Sequence, residues 1–157
     1  MRSLFTIIFT LSLLPLNQAQ ADMRFDMIKL VSGEASLFRS GDSQPAILGN
    51  LLFSSDTLTT EGDGAVGILF DDDSRMAIGP NSELELDTYQ FDRINTLGSA
   101  DFKLNVGTLA VIERKLTEAD PSAVKIHTPT AILEGRGTAM LLKCSAGLNR
   151  GIFQCRT

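Results

Sequence analysis

Apolar and polar residues alternate along most of this chain with a period of two. In Ala65–Phe70, the residues Val66, Ile68 and Phe70 fall on one face. Leu84 and Leu86 alternate with Glu83, Glu85 and Asp87, and Phe102, Leu104 and Val106 alternate with Asp101, Lys103 and Asn105. Val124 and Ile126 alternate with Lys125 and His127. Successive side chains of a strand point to opposite faces, so each run predicts a short strand with one face on a core and the other in water. Turn signals separate the runs: Ser40-Gly41-Asp42, Glu61-Gly62-Asp63-Gly64, Asp71-Asp72-Asp73-Ser74, Gly79-Pro80-Asn81-Ser82 and Gly107. Gly and Asn admit positive φ, and Asp or Ser can bond nearby backbone, so each cluster predicts a chain reversal. Beyond residue 21 no helical apolar stripe persists for three turns. The segment Gln90–Gly98 predicts a loop or a single helical turn, and Thr117–Ser122, polar and carrying Pro121, predicts an exposed loop.

Roughly ten short strands with turns between them predict a single small all-β domain. Strand–turn–strand units recur loosely about every twenty residues, which points to a β-solenoid or roll-like stack of short strands. A β-sandwich is the alternative.

The first residues break this pattern. Met1-Arg2 leads into an apolar run from Leu4 to Leu16, closing on Ala19-Gln20-Ala21 before Asp22. A basic start, a short apolar core and small residues at the end describe a secretory signal peptide, residues 1–21, cleaved after Ala21. The run is shorter than the roughly 18–20 residues that cross a bilayer, and no later stretch is long enough either. The expected mature chain is residues 22–157, located in the periplasm or secreted and not membrane-spanning.

That setting changes how the cysteines are read. Cys144 and Cys155 are the two cysteines of the chain. An exported pair so placed predicts a disulfide stapling a C-terminal tail, 144–155, rather than a redox or metal thiol pair. The formal net charge of -5, with no cluster of Lys and Arg, disfavours nucleic acid and anionic membrane as partners.

Three segments in order carry a resemblance. The first is Gly33-Glu34-Ala35-Ser36-Leu37-Phe38-Arg39, with Asp56-Thr57-Leu58-Thr59-Thr60 and Ala65–Phe70 following it. The second runs from Asp73-Ser74 through Gly79-Pro80-Asn81-Ser82 to Asp87, and the third is Thr128-Pro129-Thr130-Ala131 through Gly135-Arg136-Gly137-Thr138. Together, over about residues 27–143, they resemble the FecR domain, with its "GD-x-L-x-T", "DGS…L-x-L-G-P-x-S" and "TP-x-A…G-x-RGT" elements. Asp72-Asp73-Ser74 stands where the family more often has Asp-Gly-Ser, and Ser55-Asp56 where it often has Gly-Asp. The resemblance implies a β-rich extracytoplasmic module used for protein contact and signalling, not catalysis. In well-known members it belongs to a transmembrane regulator of a sigma factor and relays a signal from an outer-membrane transporter. This sequence has neither the anti-sigma part nor a transmembrane helix, so the expectation is a stand-alone secreted FecR-domain protein. Its partner would be another envelope protein. The alternative is an envelope glycan- or small-ligand-binding domain, against which stand the absence of Trp and the single Tyr.

The remaining candidates for chemistry are few. His127 is the only histidine, and no Ser lies in a nucleophile-elbow pattern, so no enzyme is expected. Asp71, Asp72 and Asp73 offer oxygens for calcium, but the glycine and bidentate Glu of an EF-hand loop are missing, and a solvated acidic turn is the expectation. No cofactor is expected. Glu113, Arg114, Lys115, Glu118 and Asp120 predict a solvated mixed-charge loop, and Glu83 and Glu85 the wet side of a strand. Thr128, Pro129, Gly135, Arg136, Gly137 and Thr138 are the sharpest motif. Arg136 between two glycines either meets a partner or ties an acid and carbonyls of its own fold.

Overall fold

The structure, a computed structural model, describes residues 24–135, 139–146 and 153–157; the expected leader lies outside them. Among these residues are thirteen strands and one short helix. The strands are β1 (Arg24–Ser32), β2 (Ala35–Arg39), β3 (Asp42–Pro45), β4 (Leu51–Phe53), β5 (Asp56–Thr60), β6 (Ala65–Phe70) and β7 (Arg75–Ile78). Then come β8 (Glu83–Asp92), β9 (Leu97–Ile112), helix α1 (Lys115–Ala119), β10 (Val124–His127), β11 (Ile132–Glu134), β12 (Ala139–Ala146) and β13 (Phe153–Arg156). They form one curled sheet in the order β3-β2-β5-β8-β9-β7-β6-β1-β4, with β10 and β11 added beside one part of β9 and β12 and β13 beside the other. The domain is all-β, as its alternation predicts.

The shape follows from β9. Residues 97–106 of this strand pair with β8, and residues 107–112 pair with β7 and β12. Gly107, expected from the sequence to reverse the chain, instead lies inside the strand at φ 102 and bends it from one half of the sheet to the other. A Cβ here would run into the backbone and hydroxyl of Ser82, whose Oγ accepts from Thr108 N at 2.9 Å. The two halves thereby turn their apolar faces toward one core. Leu37, Leu58, Leu84, Leu86 and Leu104 come from the β8 half, and Ile28, Leu52, Ile78 and Leu109 from the β7 half; all are buried. Tilted ring contacts of Phe70 with Tyr89 and Phe102, at centroid distances of 5.2 and 5.4 Å, join the halves.

Most predicted turns are turns: Ser40 and Gly41, Asp73, and Asn81 have positive φ at the ends of hairpins. Gln90–Gly98 is not a helical turn, because β8 and β9 continue to Asp92 and from Leu97 around a short turn. Thr117–Ser122 is only partly the exposed loop expected. Thr117 is buried within α1, together with Leu116, which fills the core below Gly98.

Buried polar groups fasten the strands. Asp56, fully buried, accepts two bonds from Arg39, Nε at 2.7 Å and Nη2 at 2.6 Å, and one from Phe53 N at 2.8 Å. Arg39 also donates to Leu51 O and lies over the Phe53 ring, so one pair ties β2, β4 and β5. Thr60, Ser82 and the Gly79 carbonyl form a second knot, where the Thr60 hydroxyl donates to Gly79 O at 2.6 Å and accepts from Ser82 N at 2.9 Å. At the far end, Cys144 and Cys155 are directly opposite on β12 and β13, with Cα atoms 4.1 Å apart, and form a disulfide.

Three substitutions test this account by urea unfolding. Gly107→Ala is expected to cost about 3 kcal/mol through strained φ and contact with Ser82. Gly41→Ala, also at positive φ but in open space, should cost only about 1 kcal/mol. Arg39→Ala should lower stability by about 3 kcal/mol, because it leaves the Asp56 carboxylate buried without its counter-charge. Equal small losses at both glycines, or a neutral Arg39→Ala, would contradict the roles assigned here.

Candidate interaction site

The motif that ends in Thr128-Pro129 and resumes at Gly135 builds one feature, the β10–β11 hairpin. β10 alternates Val124 and Ile126 inward with Lys125 and His127 outward, and lies parallel to β9, with Lys125 opposite Asp101 and His127 opposite Lys103. Thr128 turns the chain: its hydroxyl accepts from Ala131 N at 3.0 Å and donates to Ala131 O at 2.9 Å. Pro129 sits exposed at the tip, where its fixed φ suits the turn. Thr128 and Pro129 thus close a hairpin.

The second strand, β11, is an edge. It pairs with β10 alone among the described strands. Ladder bonds at Thr128–Ala131 and Gly135–Val124 set the alternation. Leu133 therefore bonds toward β10 while the main-chain groups of Ile132 and Glu134 point away from it. Leu133 packs on the core, and Ile132 stands 62% exposed. Beside it Asp101, Lys125, His127, Ile132, Leu133 and Glu134 line an open cleft of about 510 Å³. The His127 ring nitrogen Nε2 lies 3.2 Å from Asp101 Oδ1, and Asp101 Oδ2 accepts from the Thr88 hydroxyl at 3.2 Å.

Gly135 follows β11 and is buried against the carboxylate of Glu113, which occupies the space a Cβ would take. Glu113 is itself only 4% exposed, so the solvated loop expected for it is corrected: the charge is turned into the fold. Arg136, Gly137 and Thr138 lie outside the described residues.

The acidic turn lies between β6 and β7 with Asp73 exposed, as expected, and is corrected at Asp72. Asp72 is fully buried and accepts from the Ser74 hydroxyl at 2.6 Å, Ser74 N at 3.2 Å and the Tyr89 hydroxyl at 3.1 Å. Its own N–H donates to the Tyr89 oxygen at 3.0 Å, and the start of α1 closes over it. Asp71 pairs with Arg93, and Asp73 with Lys115 at 2.5 Å, which holds the Asp73 carboxyl below its ordinary range. The three carboxylates serve three different partners and do not converge. Among the described residues no three of His, Cys, Asp and Glu form a metal-binding group. Asp72 was missed as a buried anchor because a run of three acids gives no sign of which one turns inward.

Tyr89 supplies a pH test. Burial, then the Asp72 charge, raises its hydroxyl far above the ordinary 10.0. The unfolded chain therefore ionises this tyrosine while the native chain keeps it protonated. Stability is undiminished below about pH 10 and falls as pH rises beyond it. With one Tyr and no Trp in the chain, tyrosinate absorbance follows this group alone. The expected titration shows no tyrosinate until cooperative alkaline unfolding. Tyr89→Phe should flatten the alkaline fall and cost about 1–2 kcal/mol at neutral pH. Ionisation near pH 10 with the fold intact would contradict the assignment.

A family model described as FecR protein matches residues 56–150, from the buried Asp56 through the β10–β11 hairpin into the segment after β12. No curated protein and no solved structure matches the chain. No helix among the described residues is long and apolar enough to cross a membrane. The matched segment spans more than half of the sequence and contains Asp56, the Thr60–Ser82 knot, Asp72 and Gly107; the chain belongs to the FecR family.

Proposed function

We propose that this protein is a non-enzymatic, extracytoplasmic interaction and signalling module, and that a strand of another envelope protein adds to the open edge of β11. The observation that carries this reading is the edge itself: outward main-chain groups at Ile132 and Glu134, beside an exposed apolar side chain and a charged cleft. An edge of this kind supplies directional main-chain bonds, and alternate side chains supply specificity. The disulfide and the leader-like residues 1–21 favour action in the periplasm or outside the cell. The bend of β9 favours a roll-like arrangement, which would present this edge on a rigid support. No cofactor enters the proposal, and the His127–Asp101 pair has no nucleophile assigned to it.

The test is an affinity pull-down of the oxidised protein from the envelope fraction, repeated with Glu134→Pro. Proline removes one outward N–H and leaves the β10 ladder bonded. A specific envelope protein retained by the native chain and reduced at least tenfold by Glu134→Pro, with an unchanged melting curve, is the expected result. Retention on peptidoglycan instead, unaffected by Glu134→Pro, would replace this reading with a glycan-binding one.

A further inference from the structure

The two outer faces of the sheet differ in a way that alternation alone does not predict. Outside the β8 half stand Thr57, Thr59, Glu83, Glu85, Lys103 and Asn105, a mostly wet face on which the exposed Phe38 sits opposite Thr57. Outside the β7 half, a cross-strand row runs Leu30–Gly67–Ala77–Ala110–Leu141 through five paired strands. Leu30 and Leu141, at its two ends, are 54% and 61% exposed. The next row adds Leu69, Arg75 and the 44% exposed Ile112. The small residues at the centre leave a groove of about 490 Å³.

Charge around this groove has one sign. Lys29 and Arg75 line it, and Lys143 and Arg156 stand paired just beyond its β12 end. Neither row contains an Asp or Glu, although the chain carries 19 acidic against 14 basic residues. Asp71, the residue after β6, is paired with Arg93.

We infer that this groove binds an acidic amphipathic helix of a partner protein, at a surface separate from β11. Four inter-strand spacings make the row about 19 Å long, room for about 13 helical residues. The floor of Gly67, Ala77 and Ala110 lets a helix approach closely. Leu30 and Leu141 bracket its apolar stripe, and Lys29 and Arg75 face carboxylates on its flank. A second copy of this chain fits poorly. Its Lys29 and Arg75 would meet like charges, and the two rows span roughly 300 Å² against the ~800 Å² per partner of a stable interface. A lipid surface is less suited, because the centre of the row is recessed.

The experiment screens a displayed library of 14-residue helical peptides against the oxidised protein, against Ala77→Gln, which fills the exposed floor, and against Arg75→Glu. Both substituted positions are exposed, and melting curves verify the fold. The expected outcome is enrichment of peptides with Leu or Ile at helical spacing flanked by Asp and Glu. Enrichment should fall at least tenfold on each variant and stay unchanged on Glu134→Pro, so that failure here leaves the β11 reading standing. Peptides enriched equally on Ala77→Gln, enrichment of basic peptides, or no enrichment would overturn the inference. So would binding to phosphatidylglycerol vesicles or self-association in the ultracentrifuge, if Ala77→Gln abolishes it.

Discussion

A single strand has to serve both halves of this sheet, and it can do so only by bending where no side chain is tolerated. β9 pairs with β8 along its first part and with β7 and β12 along its last, and Gly107 lies at the change. At this point the chain takes a φ of 102, and Ser82 occupies the space a Cβ would need. The same Ser82 oxygen accepts the next N–H, so the crowding that excludes a side chain also satisfies the backbone at the bend. Both apolar faces meet over one core because of this bend.

Around that strand, the stabilising polar groups share a design. Asp56, at the start of β5, and Asp72, in the turn between β6 and β7, are buried carboxylates that each collect several donors. Asp56 answers Arg39, and Asp72 answers Ser74, Tyr89 and the first turn of α1. A carboxylate accepts several bonds in fixed directions, so one such group orients several loose ends that apolar packing would leave free to slide. These contacts join β2 to β4 and β5, and the β6–β7 turn to β8 and α1.

Much of this was legible from alternation. Val66, Ile68, Phe70, Leu84, Leu86, Phe102, Leu104, Val124 and Ile126 are inward as predicted, because a half-buried strand has no other way to place them. Val106 breaks the series, since an irregularity in the β8–β9 register between Leu104 and Val106 inserts one extra residue and shifts the inward phase. The disulfide partners were legible from count alone. Pairing was not: the edge character of β11 and the row from Leu30 to Leu141 depend on register, which joins residues far apart in the chain. Glu113 resembled its charged neighbours, and only the approach of Gly135 distinguishes it.

The parallel seating of β10 on β9 bears on how the chain assembles during synthesis. A parallel strand cannot reach its neighbour by a tight turn, so the chain must leave β9, pass through α1 and return. The last part of β9 is covered later still, by β12. Once β8 and β7 have paired, β9 therefore remains an edge strand along most of its length until Ala146 has been made. In that interval the nascent chain is most open to pairing with the wrong strand, its own or a neighbour's. The strand that organises the finished domain is thus the one most exposed while it is being built.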